Sequence, residues 1–310
     1  MARCLVTGGA GFIGSHLAAG LLSDGHQVRV LDNFSSGSRR NLDSLDIEMI
    51  EGDIRDPDTV GQCMVGIDRV FHQAGYISAP QSVEEPLECY SVNLTGSLNI
   101  LEAARKNEVA AVVMASSAAV YGQVSRPAQE SDPPSPMTPY AASKLAMEEA
   151  GTLYNQLYGL GVVCLRYFNV YGPRQDPQSP YAAAIPLFIN AYHHGEAPVI
   201  FGDGQQQRDF VYVEDVVAAN KAAVDRPQAH GQSINIAGGA SVSILSLLET
   251  IAASFPASKE PSYQPARTGD PTFSQADISK AEKLLGYRPK VGLEQGLKAT
   301  VQWFRSQMTP

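Results

Sequence analysis

The sequence contains no C-x-x-C pair and no histidine cluster beside its four cysteines, Cys4, Cys63, Cys89 and Cys164. That spacing argues against a zinc site and makes reduced core cysteines the expectation. Positive charge is short as well: 23 Lys and Arg against 32 Asp and Glu leave a net charge of −9. Nucleic acid and anionic membranes repel such a chain at long range, so a phosphate-bearing ligand must be held by local arginines and backbone amides. Gly-x-Ser-x-Gly is absent, which removes a Ser-His-Asp hydrolase from consideration. The longest candidate for a membrane span, Pro177 to Gly195, is uncharged but carries Pro180, Pro186, Asn190 and two histidines, a poor transmembrane pattern. Adjacent residues cannot face the same way on a helix, so His193 and His194 are expected at the surface. A strand pattern starts at Arg3, leaving no room for a leader peptide ahead of it. The expectation is a cytoplasmic protein with a small-molecule partner, no metal, no nucleic acid and no membrane.

What is present is an ordinary soluble balance, 44% hydrophobic and 18% charged residues over 310 positions, with no internal repeat. Short β-branched runs recur between helix-like stretches: Cys4 to Val6, Val28 to Leu31, Ile47 to Ile50, Val70 to Phe71, Val112 to Met114 and Val162 to Leu165. Strands covered on both faces lose the in-out alternation, so this rhythm predicts a doubly wound parallel sheet of the Rossmann type, an α/β fold. After Asn169 the chain becomes punctuated by proline and glycine, and a smaller α/β substrate-binding domain is expected there. The strand-like Asp209 to Val213 and the helix-like Val216 to Val224 are expected to return to the first domain. Residues 1–172 and 209–236 are thus assigned to dinucleotide binding, and 173–208 with 237–310 to the substrate. The segment Pro127 to Pro139 holds five prolines and is expected to be a loop delivering Tyr140 to a helix start.

Thr7-Gly-Gly-Ala-Gly-Phe-Ile-Gly14 follows the first strand and opens an apolar helical segment, Leu17 to Leu22. Gly8, Gly11 and Gly14 permit a tight turn and let backbone amides at the helix N-terminus approach a pyrophosphate. Asp32 ends the second strand, 21 residues after Gly11, where a carboxylate can accept both adenosine ribose hydroxyls. The same charge would repel a 2′-phosphate and so favours NAD over NADP, although Arg39 and Arg40 lie close in sequence. Asp53, after the third strand, suits either the adenine amino group or a turn-capping role.

Tyr140-Ala-Ala-Ser-Lys144 puts a phenol and an ammonium on one helix face. Alone, that pair is as readily a solvated face; beside a dinucleotide fingerprint it becomes a candidate acid/base couple. A phenol titrates near pH 10, so lowering it by about three units takes about 4 kcal/mol of preference for phenolate. One charge at about 4 Å supplies a similar amount at an effective dielectric of about 20, and Lys144 together with the positive nicotinamide are the expected sources. Ser117 stands at the carboxyl end of the Val112 to Met114 strand, placed either to relay a proton to Tyr140 or to cap a following helix.

Together these residues resemble the extended short-chain dehydrogenase/reductase superfamily, specifically the UDP-hexose 4-epimerases, along essentially the whole chain. The resemblance rests also on His72-Gln-Ala-Gly75, Asn93, Leu165-Arg-Tyr-Phe-Asn-Val-Tyr-Gly172, Gly202-Asp-Gly204, Arg208-Asp-Phe-Val-Tyr-Val213 and Arg267-x-Gly-Asp270. It implies NAD contacts from Phe12, Ile13, Asn33, Ile54, Gln73, Ala74, Gly75 and Asn93, beside Gly8, Gly11, Gly14, Asp32, Asp53, Tyr140 and Lys144. It implies that Asn169, Arg208 and Arg267 hold a UDP diphosphate, that Val199 and Phe201 wall the uracil, and that Asp270 meets the nucleotide ribose. Tyr140 then removes the sugar's 4-hydroxyl proton while C4 gives hydride to NAD; the 4-keto sugar turns and takes the hydride back on its other face.

Departures narrow the choice. Related dehydratases place Asp and Glu immediately after the catalytic hydroxyl residue, and UDP-glucuronate decarboxylases carry Glu two positions after theirs, where this chain has Ala118 and Ala119. Ser274 stands where hexose-restricted epimerases have a bulky tyrosine, and with Ser78 and Arg174-Gln-Asp-Pro177 it resembles epimerases of UDP-N-acetylglucosamine. The expected substrates are UDP-GlcNAc/UDP-GalNAc with UDP-Glc/UDP-Gal. The alternatives are a UDP-uronate 4-epimerase or sugar-nucleotide oxidoreductase, and, in another class, a non-catalytic sensor. The family further suggests a homodimer through helices near Leu94 to Lys106 and Ala141 to Tyr158, though a Leu94, Leu98, Leu101 stripe could equally face the chain's own core.

Overall fold

The computed structural model describes residues 1–177, 183–256, 258–266 and 271–308. Arg267 and Asp270, two of the expected substrate contacts, lie outside the described residues. Seven strands form one parallel sheet, in the order Gln232–Ile236, Gly161–Tyr167, Ala111–Ser117, Arg69–His72, Arg3–Thr7, Gln27–Asp32, Glu48–Glu51. Neighbouring residues within a strand feed different cores: Cys4 and Val6 join one cluster with Leu17, Val216 and Ala219, whereas Leu5 joins the other with Val60, Ile100 and Met147. Burial on both faces is why these strands read as unbroken apolar runs. Strand order reverses beside Arg3–Thr7, so the carboxyl ends of this strand and of Arg69–His72 flank the crevice where such sheets bind ligands.

Helix Phe12–Ser23 follows the first strand without a connecting element. Helix Pro139–Tyr158 begins where the proline-rich loop ends: Thr138 caps it by accepting from Ala141 N, Pro139 occupies its first turn, and Gly159 closes it at φ +71°.

A second, mixed sheet is built around strand Gln207–Tyr212, which pairs with Asn169–Tyr171, Ser241–Ser243 and Phe273–Ser274. Its core gathers Tyr171, Phe188, Tyr212, Leu247 and Phe304. Only the helical part of the expected return to the first domain behaves as read. Helix Val213–Val224 packs on helix Phe12–Ser23, but the strand before it centres the second sheet and is shared, with Val211 in the first core and Tyr212 in the other. Helix Ser279–Leu285, grouped by sequence with the substrate half, puts Ala281 and Leu285 into the first core. Among the described residues no helix is long and apolar enough to cross a membrane. The four cysteines are buried and unbridged.

Candidate active site

At the end of the first strand Gly8 N donates to Leu31 O at 2.8 Å. Gly8 has φ +66°, and a Cβ there would lie 2.6 Å from Ala74 N, so both backbone shape and space require glycine. At Gly11, the helix N-cap, an added Cβ would meet nothing nearer than Gly8 O at 3.2 Å. The amides of the first helical turn, left without partners inside the helix, could receive a phosphate there. Asp32 is 7% exposed; one carboxylate oxygen accepts from Ala10 N and the other from Phe34 N, both at 2.8 Å. The carboxylate therefore fixes the glycine loop and keeps its remaining lone pairs for ribose hydroxyls.

Asp53 takes the turn role and more. It accepts from Arg55 N at 2.8 Å, Arg55 Nη2 at 2.7 Å and Asn33 Nδ2 at 3.0 Å, while Arg55 also grips Glu88 at 2.8 Å. The Arg55 guanidinium, foremost, holds the Asp53 carboxyl down to about 2. Ile54 is buried beneath Gly96. Gln73 Nε2 donates to Tyr167 Oη at 3.2 Å and Asn220 Oδ1 at 3.1 Å, and Ala74 N donates to Thr7 Oγ1 at 3.3 Å. These residues fit NAD: a glycine turn at a helix N-terminus for the diphosphate and a buried carboxylate at Asp32 for the ribose, while the nearby Arg39 is engaged by Glu51 and the Phe34 ring.

Further along the crevice stand the reacting groups. Strand pairing sets Ser117 opposite Tyr167, and the Ser117 hydroxyl accepts from Ala119 N at 3.1 Å and stands near enough to the Tyr140 phenol to favour its ionised form. Of the two roles foreseen for Ser117, the cap is present in the bond from Ala119 N. Burial pushes the phenol above its ordinary value, Ser117 opposes that rise, and Cys89 adds to it. The expected lowering by Lys144 is corrected here: Lys144 Nζ donates to Ala115 O at 2.8 Å, so its charge is directed at the strand backbone. Lys144 itself is 5% exposed, and burial lowers it to about 8. Gly75 makes its position possible, since a Cβ there would come within 3.1 Å of Lys144 Nζ and 2.9 Å of Asn93 Oδ1.

Sequence reasoning missed the supports around this pair. Tyr140 N donates to Ser82 Oγ at 3.0 Å, tying the catalytic helix to the short helix Ala79–Glu84, which Ser78 caps by accepting from Gln81 N at 3.1 Å. Asn93 sits in a π-helical turn, Ser91–Thr95, accepting from Tyr76 N at 2.7 Å and donating to Ser143 Oγ at 2.9 Å. His72 shares hydrogen bonds with Thr7 Oγ1 at 2.7 Å and Ser97 Oγ at 2.9 Å. Burial first, then the charge of Lys144, holds His72 down to about 3, hence neutral. Glu148 and Arg166 form an ion pair at 2.7 Å, about 5% exposed on either side, joined by Ser116 and Ser233. One signal was available for Glu148: it follows Lys144 by one helical turn, on the same face.

On the substrate side, the shared strand brings three expected contacts together. Arg208 is paired with Ser274, and Asn169 with Phe210, two residues along, while Asn169 Nδ2 donates to Asp209 O at 2.9 Å. Val199 and Phe201 lie apart, on a strand paired with Ser262–Gln264. Among the described residues no group of three His, Cys, Asp or Glu is placed to hold a metal.

Parallel sheet, glycine cradle, buried carboxylate and a Ser-Tyr-Lys cluster at the crevice define a nicotinamide-dinucleotide-dependent enzyme of the extended short-chain dehydrogenase/reductase class. The sequence model of the NAD dependent epimerase/dehydratase family matches residues 4–237. The chain belongs to that family, and its cofactor is NAD. The UDP-glucose 4-epimerase of Mycolicibacterium smegmatis is 40% identical over 312 residues, covering 98% of this chain and 99% of that protein. Among solved structures, the UDP-glucose 4-epimerase of Thermotoga maritima with UDP-glucose superimposes with a TM-score of 0.95 at 38% identity, covering 99% of this chain and 100% of that one. The UDP-N-acetylglucosamine 4-epimerase of Methanobrevibacter ruminantium, in complex with UDP-N-acetylmuramic acid, gives 0.94 at 40% identity, covering 99% of each.

Proposed function

We propose that this chain is a UDP-sugar 4-epimerase that inverts C4 through a 4-keto intermediate, interconverting UDP-GlcNAc with UDP-GalNAc and UDP-Glc with UDP-Gal. The observation that carries the reading is that Ser117 and Tyr140 stand together at the carboxyl end of the sheet, beside Ala118 and Ala119 where elimination chemistry would need acids. Tyr140 takes the 4-hydroxyl proton through Ser117 and later returns it, which suits a group whose resting form is protonated. Ser117 favours the phenolate, and Lys144, anchored on Ala115 O in the resting chain, is assigned to balance its charge once the proton leaves. NAD, held by the glycine turn and Asp32, would supply a reversible hydride acceptor for C4 and a positive charge. Small Ser274, half-buried beside Arg208, leaves room for a 2-acetamido group. Asn169, Arg208, Arg267 and Asp270 are assigned to the nucleotide diphosphate and ribose, Val199 and Phe201 to the uracil, and Ser78 to the sugar side. The cofactor half is then assigned residues 1–172 and 213–236, with strand Gln207–Tyr212 shared between the halves.

The working unit is proposed to be a homodimer. The leucine stripe splits: Leu101 is fully buried in the chain's own core, whereas Leu98, Leu153 and Leu157 stay exposed on the two helices, Leu157 at 68%. Such a face suits a second copy. Purified protein incubated with UDP-GlcNAc, UDP-Glc and UDP-GlcA, without added NAD, should invert C4 of the first two by proton NMR. Turnover of UDP-GlcA alone would move the assignment to a uronate epimerase, and stoichiometric NADH release would reject epimerisation.

A further inference from the structure

Two neighbouring polar atoms in the turn after strand Asn169–Tyr171 serve nothing within the chain. Among the described residues, Arg174 Nη1 and Gln175 Oε1 are each shut off from solvent without a hydrogen-bond partner. Arg174 also holds φ +67°, a left-handed conformation that costs any residue with a Cβ. Burial pushes its guanidinium below the ordinary value, and no carboxylate offsets that. Half-removing a cation from water without an anion is unfavourable, as is orphaning a buried donor. A non-glycine residue held in a strained backbone with an unpaired charge is the pattern of a ligand contact rather than of packing.

The position of the turn says which kind of ligand. Pro173 O accepts from His16 Nε2 at 2.9 Å, and His16 sits one turn inside helix Phe12–Ser23, whose first amides could receive a phosphate. Burial, foremost, and the nearby Arg174 hold His16 down to about 4, so its ring is neutral and does not compete for an anion. A planar guanidinium donates two parallel bonds to phosphate oxygens.

We propose that Arg174, presented by its left-handed turn with Gln175 beside it, is a diphosphate-binding residue closing the crevice opposite the N-terminus of helix Phe12–Ser23. The diphosphate is that of the cofactor or that of the nucleotide sugar; only the second case rests on the substrate reading above. The test uses the NAD-loaded protein and two variants, Arg174→Gln and Arg174→Gly. One arm measures exchange of bound NAD for the fluorescent etheno-NAD; the other titrates UDP by calorimetry. Losing a charge-assisted hydrogen bond should speed NAD exchange or weaken UDP roughly ten- to hundredfold in both variants. Faster exchange assigns the cofactor's diphosphate, weaker UDP binding the sugar nucleotide's. Arg174→Gly relieves the backbone, so its melting temperature should equal or exceed that of the parent while the binding defect persists. Parental NAD exchange and parental UDP affinity in both variants would overturn the proposal. So would a lower melting temperature in Arg174→Gly with both affinities intact, since the arginine would then be structural.

Discussion

The cofactor side of the crevice and the turn that carries Arg174 satisfy their polar groups in different ways. On the cofactor side Asp32, Asp53, His72 and Asn93 are all engaged by neighbouring protein groups, so the shape is set before any ligand arrives. At the turn after strand Asn169–Tyr171, Arg174 Nη1 and Gln175 Oε1 are buried with no hydrogen-bond partner among the described residues. The first is preorganised by local order; the second is completed by what binds. Preorganisation of that kind suits a tightly held cofactor, while the turn is left to be completed by the diphosphate proposed for Arg174.

The sharpest way to break this comparison is at the reacting group. Tyr140→Phe keeps the ring and the cofactor cradle but removes the acid/base proton, so kcat should fall by a factor on the order of 10³ or more. Bound NAD, read by its absorbance after denaturation, should be unchanged. Undiminished turnover would remove Tyr140 from the chemistry. Next in size is Glu148→Ala, which leaves the Arg166 guanidinium buried without its anion. A loss of about 3–5 kcal/mol in unfolding free energy is expected by denaturant titration, and a loss near zero would mean water reaches the pair. Ser274→Tyr probes the substrate side. It should lower kcat/KM for UDP-GlcNAc more than for UDP-Glc, by a further factor on the order of tenfold; equal losses would undo the size argument.

The smallest effect is a divergence with pH. Lys144 is lowered by burial from an ordinary 10.5 to about 8. Below pH 8 the folded chain carries a buried ammonium at a cost. Between about 8 and 10.5 it sheds a proton that the unfolded chain keeps, so this group's contribution to stability rises with pH across that window. Activity should move the other way, declining above pH 8 as the ammonium beside the phenol is lost, a profile that initial rates and melting temperatures measured together would display. Parallel decline of both would indicate that Lys144 is not the titrating group.

What could be read from sequence was local in the chain. The glycine run, Asp32 and the Tyr140 to Lys144 spacing each sit within one strand-turn-helix unit or one helical turn, where period and spacing carry the geometry. The supports could not be read that way, because Ser82 meets Tyr140 across 58 positions and Ser116 meets Glu148 across 32. Strand Gln207–Tyr212 was misplaced for the same reason: its partners lie some 30 to 70 residues away on both sides. The direction of the Lys144 ammonium depended on a carbonyl of the neighbouring strand, which no spacing rule names.

The account stands on a hydride leaving and returning to one sugar carbon within one site. UDP-glucose carrying deuterium at C4, incubated with the protein and no added NAD, tests that directly by NMR and mass spectrometry. The prediction is UDP-galactose with the deuterium still on C4. Deuterium lost to solvent, or found in released NADH, would contradict it.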